Sequence, residues 1–80
     1  MGRKRRHWPF ALKEALIVSQ RGKCWICGDD CTFEDFTEAA KLGNGWARYP
    51  TFEHKVPIKD GGADELHNLA ISHQQCNATR

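Results

Sequence analysis

The chain has 80 residues, four cysteines, four histidines and a net charge of +2, which is one domain's length and too little charge to name a partner. An apolar core of this size supplies only about 3–5 kcal/mol, so a covalent or metal staple is expected. No apolar run approaches the ~20 residues of a membrane span, and Lys13 and Glu14 break the stretch that follows the basic start, which argues against a secretory leader and for a reducing, cytoplasmic setting.

Residues 1–8 read as a flexible basic arm, and residues 9–80 as a single domain. Arg3, Lys4, Arg5 and Arg6 are consecutive, a run that suits contact with nucleic-acid phosphates or a localisation signal, and equally a solvated terminus. Pro9 fits the first position of a helix over residues 10–21, whose stripe of Leu12, Ala15, Leu16, Ile17 and Val18 is ordinary core. Gly22 stands where a left-handed cap would end it. Residues 33–42 suit a second helix, with Phe33, Phe36 and Ala40 on one side, followed by a flexible Gly43-Asn44-Gly45 loop. Residues 49–56 are rich in aromatic and β-branched side chains and read as a strand. Lys59-Asp60-Gly61-Gly62 supplies a turn, residues 68–72 a return strand, and residues 73–80 a helical end. Trp25, Trp46 and Phe52 are expected in the core and His67 on the surface, while Trp8 is the aromatic placed to touch nucleic acid.

Cys24 and Cys27 are two residues apart, and His73 and Cys76 repeat that spacing. Each tight turn can aim two ligands at one ion, and together they complete a tetrahedral Cys3His set for structural zinc. Such a site contributes ~10–16 kcal/mol of binding energy that becomes folding energy. A redox CxxC would need a βαβ context, which is lacking here. Cys31 competes with His73 for the fourth position, and otherwise serves as a small buried residue.

Between the knuckles run Glu53-His54, Gly61-Gly62, Asn68-Leu69 and finally Cys76-Asn77. In that order, nested between paired knuckles, the chain from about residue 10 onward resembles an HNH endonuclease with a zinc-knuckle elaboration. The resemblance implies an α+β fold: a small ββα-metal domain, here with an N-terminal helix and a structural Zn2+ site. It implies His54 as general base and Glu53 as the acidic ligand of a catalytic ion. By the same resemblance Asn68 orders the loop and helps hold the base, and Asn77 is the second ligand. It also implies DNA as substrate, and allows membership of a larger phage or bacterial assembly.

The residue chemistry agrees with these assignments. Phosphodiester hydrolysis needs an activated water, which a neutral imidazole can deprotonate near pH 7. It also needs positive charge on the phosphate, and a carboxylate with an amide oxygen favours Mg2+ or Mn2+ over zinc. One difficulty stands in the way. Successive strand residues face opposite ways, so Glu53 and His54 can share a site only if the strand frays or bulges; otherwise Glu53 is an exposed or loop-binding carboxylate. Residues 32–49 form a long insert, either a family-specific helix or a substrate loop, and only four residues follow Cys76. Two other classes fit parts of the pattern: a non-catalytic zinc module that binds nucleic acid or protein, and a disulfide-stapled secreted protein.

Overall fold

A computed structural model describes residues 8–80. Helix α1 (Phe10–Ser19) starts at Pro9, whose φ of −68° is already set for it. It ends two residues earlier than periodicity predicts, because Arg21 (φ 56°) and Gly22 (φ 71°) both turn left-handed. The Gly22 N–H then returns to the Ile17 carbonyl at 2.8 Å. A side chain at Gly22 would also press on Thr32, whose Cγ2 would lie 3.0 Å from its Cβ. The apolar stripe is narrower than expected. Leu16 and Ile17 pack on the core of Cys24, Cys31 and Ile71, whereas Ala15 and Val18 face solvent. Lys13 is buried instead, with its Nζ 4.7 Å from the Tyr49 ring centre and 5.4 Å from that of Phe52. The ammonium lies over the negative ring faces while its methylene stem fills the core.

Helix α2 (Phe33–Lys41) is capped by Thr32, whose Oγ1 accepts from the Asp35 N–H at 3.0 Å, with Glu34 and Asp35 in its first turn. Phe33 and Phe36 meet Tyr49 edge-on, and Arg48 forms a two-pronged bond to Asp35, at 2.9 Å on each side. The loop expected at 43–45 is shorter than that, since a one-turn helix α3 (Gly45–Arg48) begins at Gly45. Residues 32–49 are thus mainly helical.

Strand β1 (Pro50–His54) pairs antiparallel with β2 (Leu69–His73), in the register Pro50 with His73 through His54 with Leu69. Both strands are shifted or trimmed by a residue or two relative to the hydrophobic runs. Every residue of β2 is buried. Its outer edge is closed by the Gln20 side chain, which accepts from the Ile71 N–H at 2.7 Å and donates to its carbonyl at 2.9 Å. The five-residue helix α4 (Gln74–Ala78) packs against both strands and completes a ββα unit, while α1 lies on β2. Trp25 and Trp46 are not core residues: they are 48% and 64% exposed. Trp25 lies under Lys55, 4.9 Å from its Nζ, and α3 leaves Trp46 on the outside. Phe52 does pack against the core, and His67 is exposed. Among the described residues no helix is long and apolar enough to cross a membrane. The basic residues Arg3, Lys4, Arg5 and Arg6 lie outside the described residues.

Candidate functional site

The turn after α1 and the junction of β2 with α4 meet at one point. There the ligand atoms of Cys24, Cys27, His73 and Cys76 all lie within 4.8 Å of one another. His73 Nδ1 faces the Cys27 and Cys76 sulfurs at 3.4 and 3.7 Å. Its other ring nitrogen donates to the Asp30 carbonyl at 2.6 Å, which fixes the ring and leaves Nδ1 its lone pair for a metal. Three thiols and an imidazole at this spacing form a set that can hold zinc. Cys31, the rival fourth ligand, stands outside the set, 1% exposed in the core.

The thiols respond to their surroundings in opposite directions. Burial pushes Cys24 up, but the N–H groups of Cys27, His73 and Ile26 aimed at its sulfur outweigh this and bring it below its usual value. Burial, then the neighbouring Cys27 and Cys24 sulfurs, pushes Cys76 up to about 12. Cys31 is also pushed up to about 12, by burial first and then by the charges of Cys24 and Asp35. Crowded sulfurs resist becoming thiolates together unless a cation joins them.

Around the end of β1 an open cleft of about 810 Å³ is lined by Trp8, Glu53, His54, Asp64, Asn77 and Arg80, among others. β1 neither frays nor bulges at the Glu53-His54 pair, since its ladder with β2 is regular to the last residue. Both side chains still border one cleft, because the strand ends at His54 and the cleft opens around that end.

Glu53 is neither exposed nor bound to the loop. It is 3% exposed, and its Oε1 accepts from Arg80 Nη1 at 2.6 Å. Arg80 is anchored by two further bonds, to the His54 carbonyl at 3.1 Å and the Lys55 carbonyl at 2.7 Å. Glu53 Oε2 is buried with no hydrogen-bond partner. A buried carboxylate oxygen without a partner is costly, and a cation beside it would remove that cost. Asn77 sits at the same end of the sheet, its Nδ2 donating to the Phe52 carbonyl at 3.3 Å, which leaves Oδ1 as the acceptor. Glu53 Oε2 and an amide oxygen therefore fit a hard divalent cation.

Asn68 is buried and acts on the loop. Its Oδ1 accepts from the Val56 N–H at 2.9 Å, and its Nδ2 donates to the carbonyls of Val56 at 3.0 Å and Ala63 at 2.7 Å. It makes no bond to the His54 ring; Asp64 does, with Oδ1 2.9 Å from His54 Nε2. Gly62 allows the loop to fold this tightly, since a Cβ there would overlap the Val56 carbonyl. Sequence reading singled out neither Asp64 nor Arg80. The available signals were an acidic residue two positions after the glycine pair, and a cation three residues beyond Asn77, one helical turn on.

A family model for HNH endonucleases matches residues 24–80 of the chain. No curated protein and no solved structure matches it significantly.

Proposed function

Because the chain belongs to the HNH endonuclease family, we propose that it hydrolyses phosphodiester bonds in DNA with one Mg2+ or Mn2+ ion, His54 acting as general base. The observation that carries this reading is Glu53 Oε2, a buried oxygen without a hydrogen-bond partner, on a residue that lines the same cleft as His54 and Asn77. Glu53 and Asn77 hold the catalytic ion. When bound, that ion supplies positive charge to the phosphate as negative charge develops on it. His54 takes the proton from the attacking water, and Asn68 keeps the loop closed behind it. The zinc set has a structural role: it ties the turn at 24–27 to the end of β2, so that α4 presents Asn77 at the sheet. Arg3, Lys4, Arg5 and Arg6 contact backbone phosphates, and Trp8, which borders the cleft, stacks on nucleic acid. Thiols gathered for a metal suit a reducing compartment, and the cytoplasm is the compartment we propose.

One contact favours a second reading. Arg80 already pairs with Glu53, and in a non-catalytic zinc module that binds nucleic acid this ion pair would be the whole purpose of the carboxylate. Supercoiled plasmid, linear duplex, single strands and RNA, each incubated with zinc-loaded protein with and without Mg2+ or Mn2+, separate the two. The nuclease reading expects nicking of DNA only with the added ion, and its loss in Glu53→Gln at unchanged zinc content. DNA binding without cleavage in any metal would leave the module.

A further inference from the structure

We propose that Asp64 is the positioning residue of the general base: it holds the His54 ring as its Nε2–H tautomer and so presents Nδ1 to water. This deepens the nuclease reading and rests on it. An ionised carboxylate can only accept a hydrogen bond. With Asp64 Oδ1 2.9 Å from His54 Nε2, the ring proton belongs on Nε2, and the lone pair that can take a proton from water is on Nδ1. The same contact stops the ring from turning over, which would put Cε1 where Nε2 stands and Cδ2 where Nδ1 stands.

Such a device works only if the carboxylate is itself held, and the loop does this. Asn68 Nδ2 binds the Ala63 carbonyl, next to Asp64, at 2.7 Å. The far end of the loop is fixed by the same side chain through both backbone groups of Val56. Between them, the Gly62 N–H donates to the Pro57 carbonyl at 3.0 Å, and the Lys55 N–H to the Asn68 carbonyl at 2.7 Å. Asp64 is thus presented to His54 from a segment closed on itself. Both side chains are about one-third exposed or less, at 27% and 33%, and both residues line the cleft. Asn68 then acts on the base at one remove: it holds the loop, and the loop's carboxylate holds the ring.

The test uses the full, zinc-loaded chain and does not depend on cleavage. Ring-nitrogen NMR shifts of neutral His54, assigned by difference against His54→Gln, report the tautomer directly. The wild type should show Nε2–H alone. Asp64→Ala should give a mixture, and Asp64→Asn, which keeps an acceptor oxygen, should retain most of the Nε2–H form. In plasmid nicking, Asp64→Ala should lower kcat by roughly 10- to 100-fold with KM within about twofold, Asp64→Asn should recover part of this, and Mn2+ affinity should not change. A tautomer untouched in both variants would overturn the proposal, as would a loss of Mn2+ affinity with the tautomer intact, which would make Asp64 a metal ligand. If the tautomer shifts as expected but the wild type cleaves nothing, the pairing stands and the nuclease reading falls.

Discussion

Replacing Asn68 with alanine should destabilise the domain by about 2–4 kcal/mol without touching either metal site. The side chain makes three bonds to backbone, at 2.9, 3.0 and 2.7 Å, and each is worth about 0.5–1.5 kcal/mol net. Alanine leaves the Val56 N–H and the carbonyls of Val56 and Ala63 without these partners. Val56 and Ala63 are not buried, so water can reach some of the freed groups, and the lower half of the range is the better expectation. A domain of this size loses ~4–8 °C of Tm per kcal/mol, which puts the expected drop near ~10–20 °C. Asn68→Asp should do no better. It keeps an acceptor for the Val56 N–H but turns a second, negative oxygen toward two carbonyl oxygens that now receive a donor. Thermal melts followed by circular dichroism, at fixed zinc and protein concentration, read the effect, with zinc content measured alongside. An Asn68→Ala variant whose melting temperature matches that of the wild type would show that the loop is held by something other than this amide.

The zinc set yields a paired expectation: Cys24→Ser should bind no zinc and fail to fold, whereas Cys31→Ala should keep one zinc per chain and lose only about 1 kcal/mol of packing, both read by metal analysis and far-UV spectra. A folded, zinc-free Cys24→Ser would contradict the staple. Burial raises Cys31 from the usual 9 to about 12, so the folded chain holds a proton that the unfolded chain releases. The stability this gives is therefore intact below pH 9 and declines as pH climbs from there toward 12, by at most about 1.4 kcal/mol per pH unit. Denaturant titrations of the zinc-loaded chain should show that decline, and Cys31→Ala should flatten it; equal slopes would exclude Cys31 as its source. Deleting residues 3–6 should reduce the slope of log affinity against log salt by up to ~0.9 for each phosphate the arm neutralises, and an unchanged slope would mean the arm touches none.

The Cys3His cluster was legible because its signal is local: two pairs at fixed spacing need only two tight turns brought together, and the fold brings His73, not Cys31, to the other three. The ββα unit and the Glu53-His54, Asn68 and Asn77 positions followed from motif order, which fixes the sequence of elements but not their faces. What stayed hidden was set by tertiary contact. Val18 and Trp46 look like core from their type alone, yet both are left exposed: Leu16 and Ile17 are the α1 residues packed on the core, and α3 leaves Trp46 outside. Lys13 breaks the apolar stretch by its charge, yet the rings of Tyr49 and Phe52 receive its ammonium inside the fold. The apparent conflict between Glu53 and His54 dissolved because a strand's end, unlike its middle, borders one cleft on both faces. Asp64 and Arg80 reach the site across 10 and 27 residues of chain, and no spacing rule connects such partners.

The central claim is that the imidazole at the end of β1 performs the chemistry. The most direct measurement is the rate of Mg2+-dependent plasmid nicking by His54→Ala, prepared with its zinc and its melting temperature verified as those of the wild type. The nicking rate should fall to the level of the buffer control while zinc content and DNA affinity are retained. A variant that still cuts at the wild-type rate would show that another group activates the water, and would remove His54 from the mechanism.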